Sequence, residues 1–339
     1  MIKDLSTMCQ KMQQSFDINA YWLPAFHNSM ASLISGFCAL ILIYHANFRQ
    51  MAYHLNVKII LIAIIFTNLV ITGTTSYNFS SFFYKNHFPS DNCEDFFFVT
   101  SQCSQIRKMF ICAFVFQTCC HVLLVIERTW ATFRLSKYDN DNCVIAKVGI
   151  FISLLISMVT TLLVTMDEKE ELMTTCMAFS STSIGNNIFV MFRFQACIEI
   201  CCFFAYYYLH NFNRSKRHRF MNLNDQYQLD ENVQMIRQFS PLFLVSTGLI
   251  SIYLMAIQLL RLFRNCFTAT EYRSIAVNIF IIPHISCASF LIILYMMRKI
   301  HKERLETRLK AIDTTFVESR AHMDTIMKHW DNLSPRKLD

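Results

Sequence analysis

The chain has 339 residues, of which 54% are hydrophobic and only 16% are charged, whereas about a quarter of the residues in an ordinary soluble domain carry a charge. Its net charge is +7, and its 14 cysteines are too sparse for a small disulfide-bonded scaffold. Phenylalanine alone accounts for 32 residues, which suits a surface that faces lipid. This composition excludes a soluble enzyme and predicts an integral membrane protein with no nucleic-acid partner.

Seven apolar windows are long enough to form transmembrane helices, each of which needs about 20 residues. They cover residues 22–44, 59–77, 109–126, 148–166, 188–208, 242–263 and 275–297. The alternation with a period of two that marks a transmembrane barrel is absent. The predicted fold is therefore an all-α membrane protein, a seven-transmembrane helix bundle spanning 22–297.

The lysines and arginines that flank the windows predict the orientation of the bundle. With the N-terminus outside and the tail counted only as far as Lys310, the inner segments hold 17 of them and the outer segments hold 8, as expected when cations stay on the cytoplasmic side. We therefore expect residues 1–21 to be extracellular and residues 298–339 to form a cytoplasmic tail. Only one of the Asn-x-Ser sequons, at Asn78, then lies outside. Because Asn78 directly follows the second window, its glycosylation stays an open alternative.

The tail has an apolar period of its own. Its apolar positions are spaced by four and three residues, which is typical of one face of a helix. They are Leu305, Leu309, Ile312, Phe316, Met323, Ile326 and Trp330, with Ser319 in the same series. We predict an amphipathic helix that lies on the anionic inner leaflet of the bilayer, with a short coiled coil as the alternative.

The two ends of the third window carry the first functional signals. Cys103 and Arg128 are 25 residues apart, about 37 Å of helix at 1.5 Å per residue, which matches a helix that crosses the bilayer with its interfaces. Cys176 is the only cysteine between the fourth and fifth windows, so we predict that it forms a disulfide with Cys103 in the oxidising compartment. Cys93 could pair with Cys9 or Cys266, and both alternatives stay open.

This arrangement resembles rhodopsin-like G-protein-coupled receptors, in which the third helix has a cysteine at its outer end and an acidic residue followed by arginine, here Glu127 and Arg128, at its inner end. The chain departs from that pattern in several places. Its sixth window lacks a tryptophan or proline in mid-helix, its seventh lacks an Asn-Pro-x-x-Tyr ending, and its second has Asn68 where an acidic residue is usual.

Three stretches resemble the nematode serpentine chemosensory receptors more closely. Residues 126–132 are similar to the second inner loop of the group that contains the alpha, beta, alpha/beta and epsilon classes, residues 223–232 to its third inner loop, and residues 91–95 to its first outer loop. Class alpha/beta is the best match. The resemblance implies a chemoreceptor in the plasma membrane of a sensory cell, which binds a small-molecule cue and activates a heterotrimeric G protein.

Several polar and aromatic residues inside the windows are candidates for ligand contact or switching. A carboxylate in mid-membrane, such as Glu199, normally faces the bundle interior. Gln117, His121, Asn278 and His284 are expected to face inward, and they suit hydrogen bonds between helices. The predicted ligand-binding set is Phe110, Phe114, Gln117, Glu199, Tyr253 and Asn278. For the switch we predict that Arg128 pairs, in a partly solvated site, with Glu127, Asp230 or Glu231.

The chemistry of enzymes and metal sites is not indicated. The apolar windows contain Cys119, Cys120, Cys197, Cys201 and Cys202, but free cysteine inside an apolar helix behaves as a small hydrophobe, so we expect neither a metal nor a cofactor. No hydrolase or phosphate-binding motif is present. A seven-helix ligand-gated channel or transporter is the alternative to a receptor.

Overall fold

A computed structural model describes residues 19–45, 55–87, 98–134, 144–170, 172–173, 176, 183–216 and 223–333. Its helices are α1 (Asn19–His45), α2 (Leu55–His87), α3 (Thr100–Phe133), α4 (Val144–Thr165), α5 (Gly185–Lys216), α6 (Leu223–Leu262), α7 (Ala269–Ile279) and α8 (Ile282–Leu333). A one-turn 3-10 helix (Arg264–Cys266) and two short strands, β1 (Phe98–Val99) and β2 (Leu172–Met173), complete the regular structure of these residues.

Seven segments of the described helices are long and apolar enough to cross a membrane, which confirms the seven predicted spans. They are Ala25–Leu42, Leu55–Ser81, Thr100–Phe133, Val144–Thr165, Gly185–Ser215, Phe239–Leu262 and Ser274–Met296. Several helices extend well beyond the predicted windows, because polar residues at their ends continue the helix. The helix α6 begins at Leu223, whereas the window predicted from hydropathy begins at 242.

The helices form a closed ring around α3. The helix α3 packs against α2, α4, α5 and α6, while α1 packs against both α2 and α7, and α7 packs against α6. Of the seven segments that could cross a membrane, the α3 segment has the largest buried share. Side chains that α3 directs inward are therefore placed to contact several helices at once.

The side chains on the different faces of α4 indicate the environment of the bundle. Its inward stripe is small and polar, with Ser153, Ser157, Thr161 and Thr165 four residues apart, and each hydroxyl from Ser157 onward donates to the carbonyl four residues back at 2.7–2.9 Å. Its other faces expose large apolar side chains such as Phe151. Small residues inside and large apolar residues outside are typical of helices that pack within lipid.

The seventh span is broken into α7 and α8 at residues 280–281. Pro283 lies in the first turn of α8, where its missing N–H group costs no helical hydrogen bond. The helix α7 begins with a capping box, in which Glu271 N–H donates to the Thr268 hydroxyl and the Glu271 carboxylate accepts from the Thr268 backbone. The hydrogen bonds that this carboxylate accepts from the Thr268 backbone N–H and from the Thr268 hydroxyl lower the pKa of the exposed Glu271 carboxyl.

A short hairpin and a disulfide close one end of the bundle. The strands β1 and β2 are antiparallel, with Phe98 opposite Met173 and Val99 opposite Leu172. Next to them, Cys103 and Cys176 form a disulfide with a Cα–Cα distance of 4.9 Å, which confirms the predicted pair. The segment that follows α4 is thereby fixed to the beginning of α3.

The chain divides into two units, Met1–Ile292 and Ile293–Asp339. The described part of the second unit is the continuation of α8 to Leu333. Within it, Lys302 and Glu306 are exposed one turn apart, with a nitrogen–oxygen distance of 3.9 Å. The placement of this segment on a membrane stays a prediction.

Candidate functional site

The bundle has two ends. We call the end that carries Cys103–Cys176 the disulfide end, and the opposite end of α3 the Arg128 end. At the Arg128 end, the Arg128 guanidinium donates to both oxygens of Glu127, from Nε at 2.5 Å and from Nη2 at 2.6 Å. Its Nη1 donates to Asn232 Oδ1 on α6 at 3.0 Å. Glu127 and Arg128 are 0% and 2% exposed. The predicted pairing with Glu127 is therefore present, but the expectation of a partly solvated site is wrong, because α6 extends over this end of the bundle.

Thr132 connects three helices beside that ion pair. Its hydroxyl accepts from Asn232 Nδ2 on α6 at 2.9 Å and from Asn213 Nδ2 on α5 at 3.0 Å. The same hydroxyl donates to the Arg128 carbonyl at 2.8 Å. We call Glu127, Arg128, Thr132, Asn213 and Asn232 the Arg128 cluster. Thr132, Asn213 and Asn232 were not predicted as site residues, because Asn213 lies five residues beyond the fifth apolar window and Asn232 lies ten residues before the sixth.

Asp230 and Glu231 lie in α6 just before Asn232. Their side chains lie outside what the structure describes, so a pairing of either with Arg128 stays a prediction.

A second buried pair lies near the middle of the bundle. His121 Nδ1 on α3 is 3.0 Å from both carboxylate oxygens of Glu199 on α5, and His121 Nε2 is 3.4 Å from Ser246 Oγ on α6. Glu199 is 0% exposed, so it faces the interior as predicted. Arg193 is exposed. A buried charge needs a partner that also makes hydrogen bonds, and His121 fills that role.

A third polar contact joins α2 to the seventh span. Ser286 Oγ on α8 donates to Asn68 Oδ1 at 2.9 Å, and Gln117 Nε2 on α3 lies 3.5 Å from the same oxygen. Asn68 Nδ2 donates to the Ile64 carbonyl at 3.0 Å. Gln117 is buried, as predicted, and its amide contacts a neighbouring helix.

Between this polar contact and the disulfide end lies an aromatic layer. Phe280, at the break between α7 and α8, packs against Phe110 with ring centroids 6.2 Å apart and against Tyr253 edge-on at 5.9 Å. Phe110 stacks on Phe114 at 5.9 Å, and Phe114 meets Phe192 edge-on at 5.8 Å. Phe110, Phe114 and Tyr253 are thus buried together as predicted. Phe280 was missed because hydropathy does not show where a span is broken.

Two predicted site residues are corrected by the structure. Asn278 is exposed, and its Nδ2 donates to the Ser274 carbonyl of its own helix at 2.8 Å, because α7 turns Ala276 and Val277 inward instead. Asn78 is only 5% exposed inside α2, which runs ten residues beyond the predicted window end at 77. This burial disfavours a glycan on Asn78, and its glycosylation stays a prediction.

Two histidines meet where α1 crosses the seventh span. His27 Nδ1 and His284 Nε2 are 3.1 Å apart, and the rings stack with centroids 5.3 Å apart. The predicted contact of His284 with another helix is therefore present. The neighbouring Asn28 donates to the Val277 carbonyl at 3.3 Å, which attaches α1 to α7.

A buried ion pair lies beneath the disulfide. Arg107 Nη1 on α3 donates to Glu168 Oε1 at 2.7 Å, and Ser104 Oγ donates to Glu168 Oε2 at 2.8 Å. Arg107 is 1% exposed, although its position before the third window predicted an outer-segment cation. It is buried because α3 begins at Thr100, well before the predicted window.

Metal and thiol chemistry has little support in the described residues. Within the ranges given above, no three His, Cys, Asp or Glu side chains come together to hold a metal ion. Within the described residues Cys266 is exposed and carries a free thiol, and the pairing of Cys93 stays open. Cys9 and Cys93 lie outside the described residues.

Comparison with known proteins identifies the family. Residues 6–331 match the family described as serpentine type 7TM GPCR receptor class ab chemoreceptor. The chain is also similar to serpentine receptor class alpha-39 of Caenorhabditis elegans, with 26% identity over 284 residues, or 82% of this chain and 75% of the relative. The seven spans, the Cys103–Cys176 disulfide and a match over nearly the whole chain agree: the chain belongs to the class ab serpentine chemoreceptors.

Proposed function

We propose that the protein is a sensory receptor of the plasma membrane, with its N-terminus outside, which binds a small-molecule cue in the disulfide-end half of the bundle and activates a heterotrimeric G protein at the Arg128 end. The observation that carries this proposal is the Arg128 cluster. It holds α3, α5 and α6 together through buried polar groups of Glu127, Arg128, Thr132, Asn213 and Asn232.

The two halves of the bundle suit different partners. The half near the disulfide contains the aromatic layer, with Phe110, Phe114 and Tyr253 buried, and an apolar interior with a few polar groups is typical of small-ligand sites. At the other end, separation of α6 from α3 would expose a groove between helices, which suits the docking of a partner helix. Gln117 and Glu199 lie between the two halves.

A continuous set of contacts links the middle of the bundle to the Arg128 end. The His121 ring meets Phe243 edge-on with centroids 5.6 Å apart, and Phe243 stacks on Tyr206 at 4.3 Å. The Tyr206 hydroxyl donates to the Ile236 carbonyl at 3.2 Å, which joins α5 to α6. A cue that favours a different arrangement of α5 and α6 shifts the population of receptors toward that arrangement, and these contacts give the change a physical route.

The test removes one hydrogen-bonding side chain of the Arg128 cluster. Asn232→Ala deletes the contacts from α6 to Arg128 and to Thr132 and leaves the Glu127–Arg128 pair in place. A hydrogen bond to a charged group contributes about 1.5–3 kcal/mol, so we expect basal G-protein dissociation to rise about tenfold per receptor at the cell surface. Asn278→Ala is the matched control, because that amide is exposed and bonds only within its own helix.

Two further outcomes decide the proposal. Arg128→Ala is expected to reduce cue-evoked G-protein dissociation while the affinity for the cue changes by only a few-fold. Unchanged signalling by Arg128→Ala, or unchanged basal activity of Asn232→Ala, would contradict the proposed switch. A cue-evoked current in membranes that lack G proteins would favour the channel or transporter instead.

A further inference from the structure

The described part of the second unit is a helix with an apolar face of its own. From Leu305 onward an apolar residue recurs at alternating intervals of four and three, with Ser319 as the exception, and Leu333 continues the series beyond Trp330. All of these positions lie in α8, which ends at Leu333, so helix carries the pattern over four heptads. This spacing places the series on one stripe of the helix. We call the series from Leu305 to Leu333 the tail seam.

The members of the tail seam whose side chains the structure describes are exposed. Leu309, Met323 and Ile326 are 57%, 58% and 38% exposed, although each is a large apolar side chain. Single exposed apolar residues are ordinary on a protein surface, but a contiguous row of them marks an interaction site. The surface that covers such a row is either lipid or another protein helix.

The charge of the tail separates these two candidates. Residues 298–310 hold six Lys or Arg and two Glu, a net charge of +4, whereas residues 311–333 hold two Lys or Arg and four Asp or Glu, a net charge of −2 with His neutral. A helix that lies on an anionic leaflet is rich in Lys and Arg on its polar face. The predicted placement on the leaflet therefore suits residues 298–310, while most of the tail seam lies in the segment that an anionic surface repels.

A second copy of the same helix complements the charges that border the tail seam. In a parallel coiled coil the seam occupies heptad positions a and d, and the g position of one helix faces the following e position of its neighbour. Here Arg308 at g faces Asp313 at e of the second copy, and His301 faces Glu306 in the heptad before. Twofold symmetry makes each pair occur twice. No two like charges face each other in this register.

The membrane gives both copies the same orientation. The tail seam begins nine residues after Met296, where the last membrane-spanning segment ends. Two copies inserted in one bilayer with the same topology therefore begin their seams at the same membrane surface. A parallel pair is then in register from Leu305 to Leu333 without any further linker.

We infer that the tail helix of this receptor pairs with the same helix of a second copy, as a parallel, in-register coiled coil along the tail seam. The pair buries the exposed apolar side chains of both copies, and Arg308 of each copy forms a salt bridge with Asp313 of the other. Ser319, the one polar member of the seam, forms its weakest layer. The inference goes beyond the proposed function, since it does not depend on what the receptor binds or activates.

The experiment detects the pair in membranes that contain the full-length protein. The sequence has no cysteine after Cys287, so Ile312→Cys places a single thiol in the seam at a d position. Copper–phenanthroline with air oxidises two such thiols to a disulfide where they face each other. We expect a band of twice the receptor mass on a non-reducing gel, at least about fivefold stronger than for Thr314→Cys. Thr314→Cys is the matched control, because its f position lies on the opposite side of the helix.

Variants made on the Ile312→Cys protein test the seam itself. Met323→Lys places a charge in the seam and is expected to reduce the cross-linked fraction at least about fivefold. Ala321→Lys adds the same charge at an f position and should leave that fraction unchanged. Ser319→Leu fills the polar layer and should raise the fraction, a gain that a misfolded protein does not produce.

A charge exchange tests the parallel register. Arg308→Asp places two acids opposite each other, and Asp313→Arg places two bases opposite each other, so each single variant is expected to lower the cross-linked fraction about threefold. The double variant Arg308→Asp/Asp313→Arg should restore it, because opposite charges face each other again. The exchange leaves the net charge of the tail unchanged, so attraction to an anionic leaflet does not explain a restored fraction.

Each outcome decides the inference. Equal cross-linking of Ile312→Cys and Thr314→Cys overturns it and leaves the leaflet as the predicted partner of the whole tail. A covalent product of any mass other than twice that of the receptor overturns a second copy as the occupant of the seam. A cross-linked fraction that Met323→Lys does not lower, or that the double charge exchange does not restore, overturns the proposed seam and register.

Discussion

Several polar side chains in the interior of this bundle contact a different helix. His121 on α3 meets Glu199 on α5, and Ser286 on α8 meets Asn68 on α2. Within lipid, the burial of apolar side chains favours helix association little, because lipid tails are as apolar as leucine, so packing and hydrogen bonds between helices take over. Each of these contacts is therefore expected to contribute to the relative position of two helices as well as to stability.

The His121–Glu199 pair allows a direct measurement of such a contribution. Removal of one member of a buried pair leaves the other unpaired, which costs about 3–5 kcal/mol. We expect His121→Phe and Glu199→Gln each to lower the midpoint of thermal unfolding in detergent. The double variant should lower this midpoint by less than the sum of the two single decreases, because the second change removes the unpaired group that the first one left behind.

The control for this cycle is Arg193→Gln, which changes a charged but exposed side chain of the same helix. Its unfolding midpoint should stay within the error of the measurement. Additive effects of His121→Phe and Glu199→Gln would mean that the 3.0 Å contact does not couple the two residues.

The sequence predicts one member of this pair better than the other. A carboxylate in mid-membrane is costly enough to identify Glu199 as inward-facing from its position alone. The identity of its partner depends on how α3 and α5 rotate about their axes, which hydropathy does not encode. The same limit explains Asn278, since a break at residues 280–281 decides which face of α7 is buried.

At the scale of elements, the spans were predictable and their ends were not. Hydropathy locates the apolar middle of each helix, but α3 begins at Thr100 and α6 at Leu223, where polar residues continue the helix. These extensions bury Arg107 at one end and Arg128 at the other. The positions of both buried ion pairs therefore depend on helix ends that an apolar window does not reveal.

The hairpin element leads to a prediction about the disulfide. Cys103→Ser and Cys176→Ser are each expected to reduce surface expression, because the segment after α4 loses its covalent attachment to α3. The double variant should resemble either single variant, since the two thiols act as one bond. Flow cytometry with an N-terminal tag measures the surface fraction.

Cys266→Ser serves as the comparison, because that thiol is exposed and unbonded. Its surface expression should equal that of the parent protein. Normal expression of both Cys103→Ser and Cys176→Ser would show that the bond is dispensable for assembly of the receptor.

At the scale of the whole molecule, the orientation in the membrane is the next property to test. Epitope tags at Lys3 and within residues 177–182 should stain intact cells, and a tag after Asp339 should stain only permeabilised cells. The prediction rests on the excess of lysine and arginine in the inner segments. The tally of 17 against 8 includes the buried Arg128 inside and the buried Arg107 outside, so its direction is unchanged when both are removed.

The reverse staining pattern would place the disulfide end in the reducing cytoplasm, where such a bond does not persist. It would also make the channel or transporter the leading function. For this comparison, each tagged protein must reach the cell surface in the same amount as the untagged parent.

The disulfide also changes how the chain is connected. Its cysteines are 73 positions apart along the sequence, so it closes a covalent ring that contains most of α3 and all of α4. A protease cut between residues 135 and 143 opens that ring without releasing either half, so the two fragments would migrate as one species until a reductant is added. A receptor expressed as two separate pieces, divided at the same place, could likewise rejoin through this single bond and be recovered as one covalent molecule.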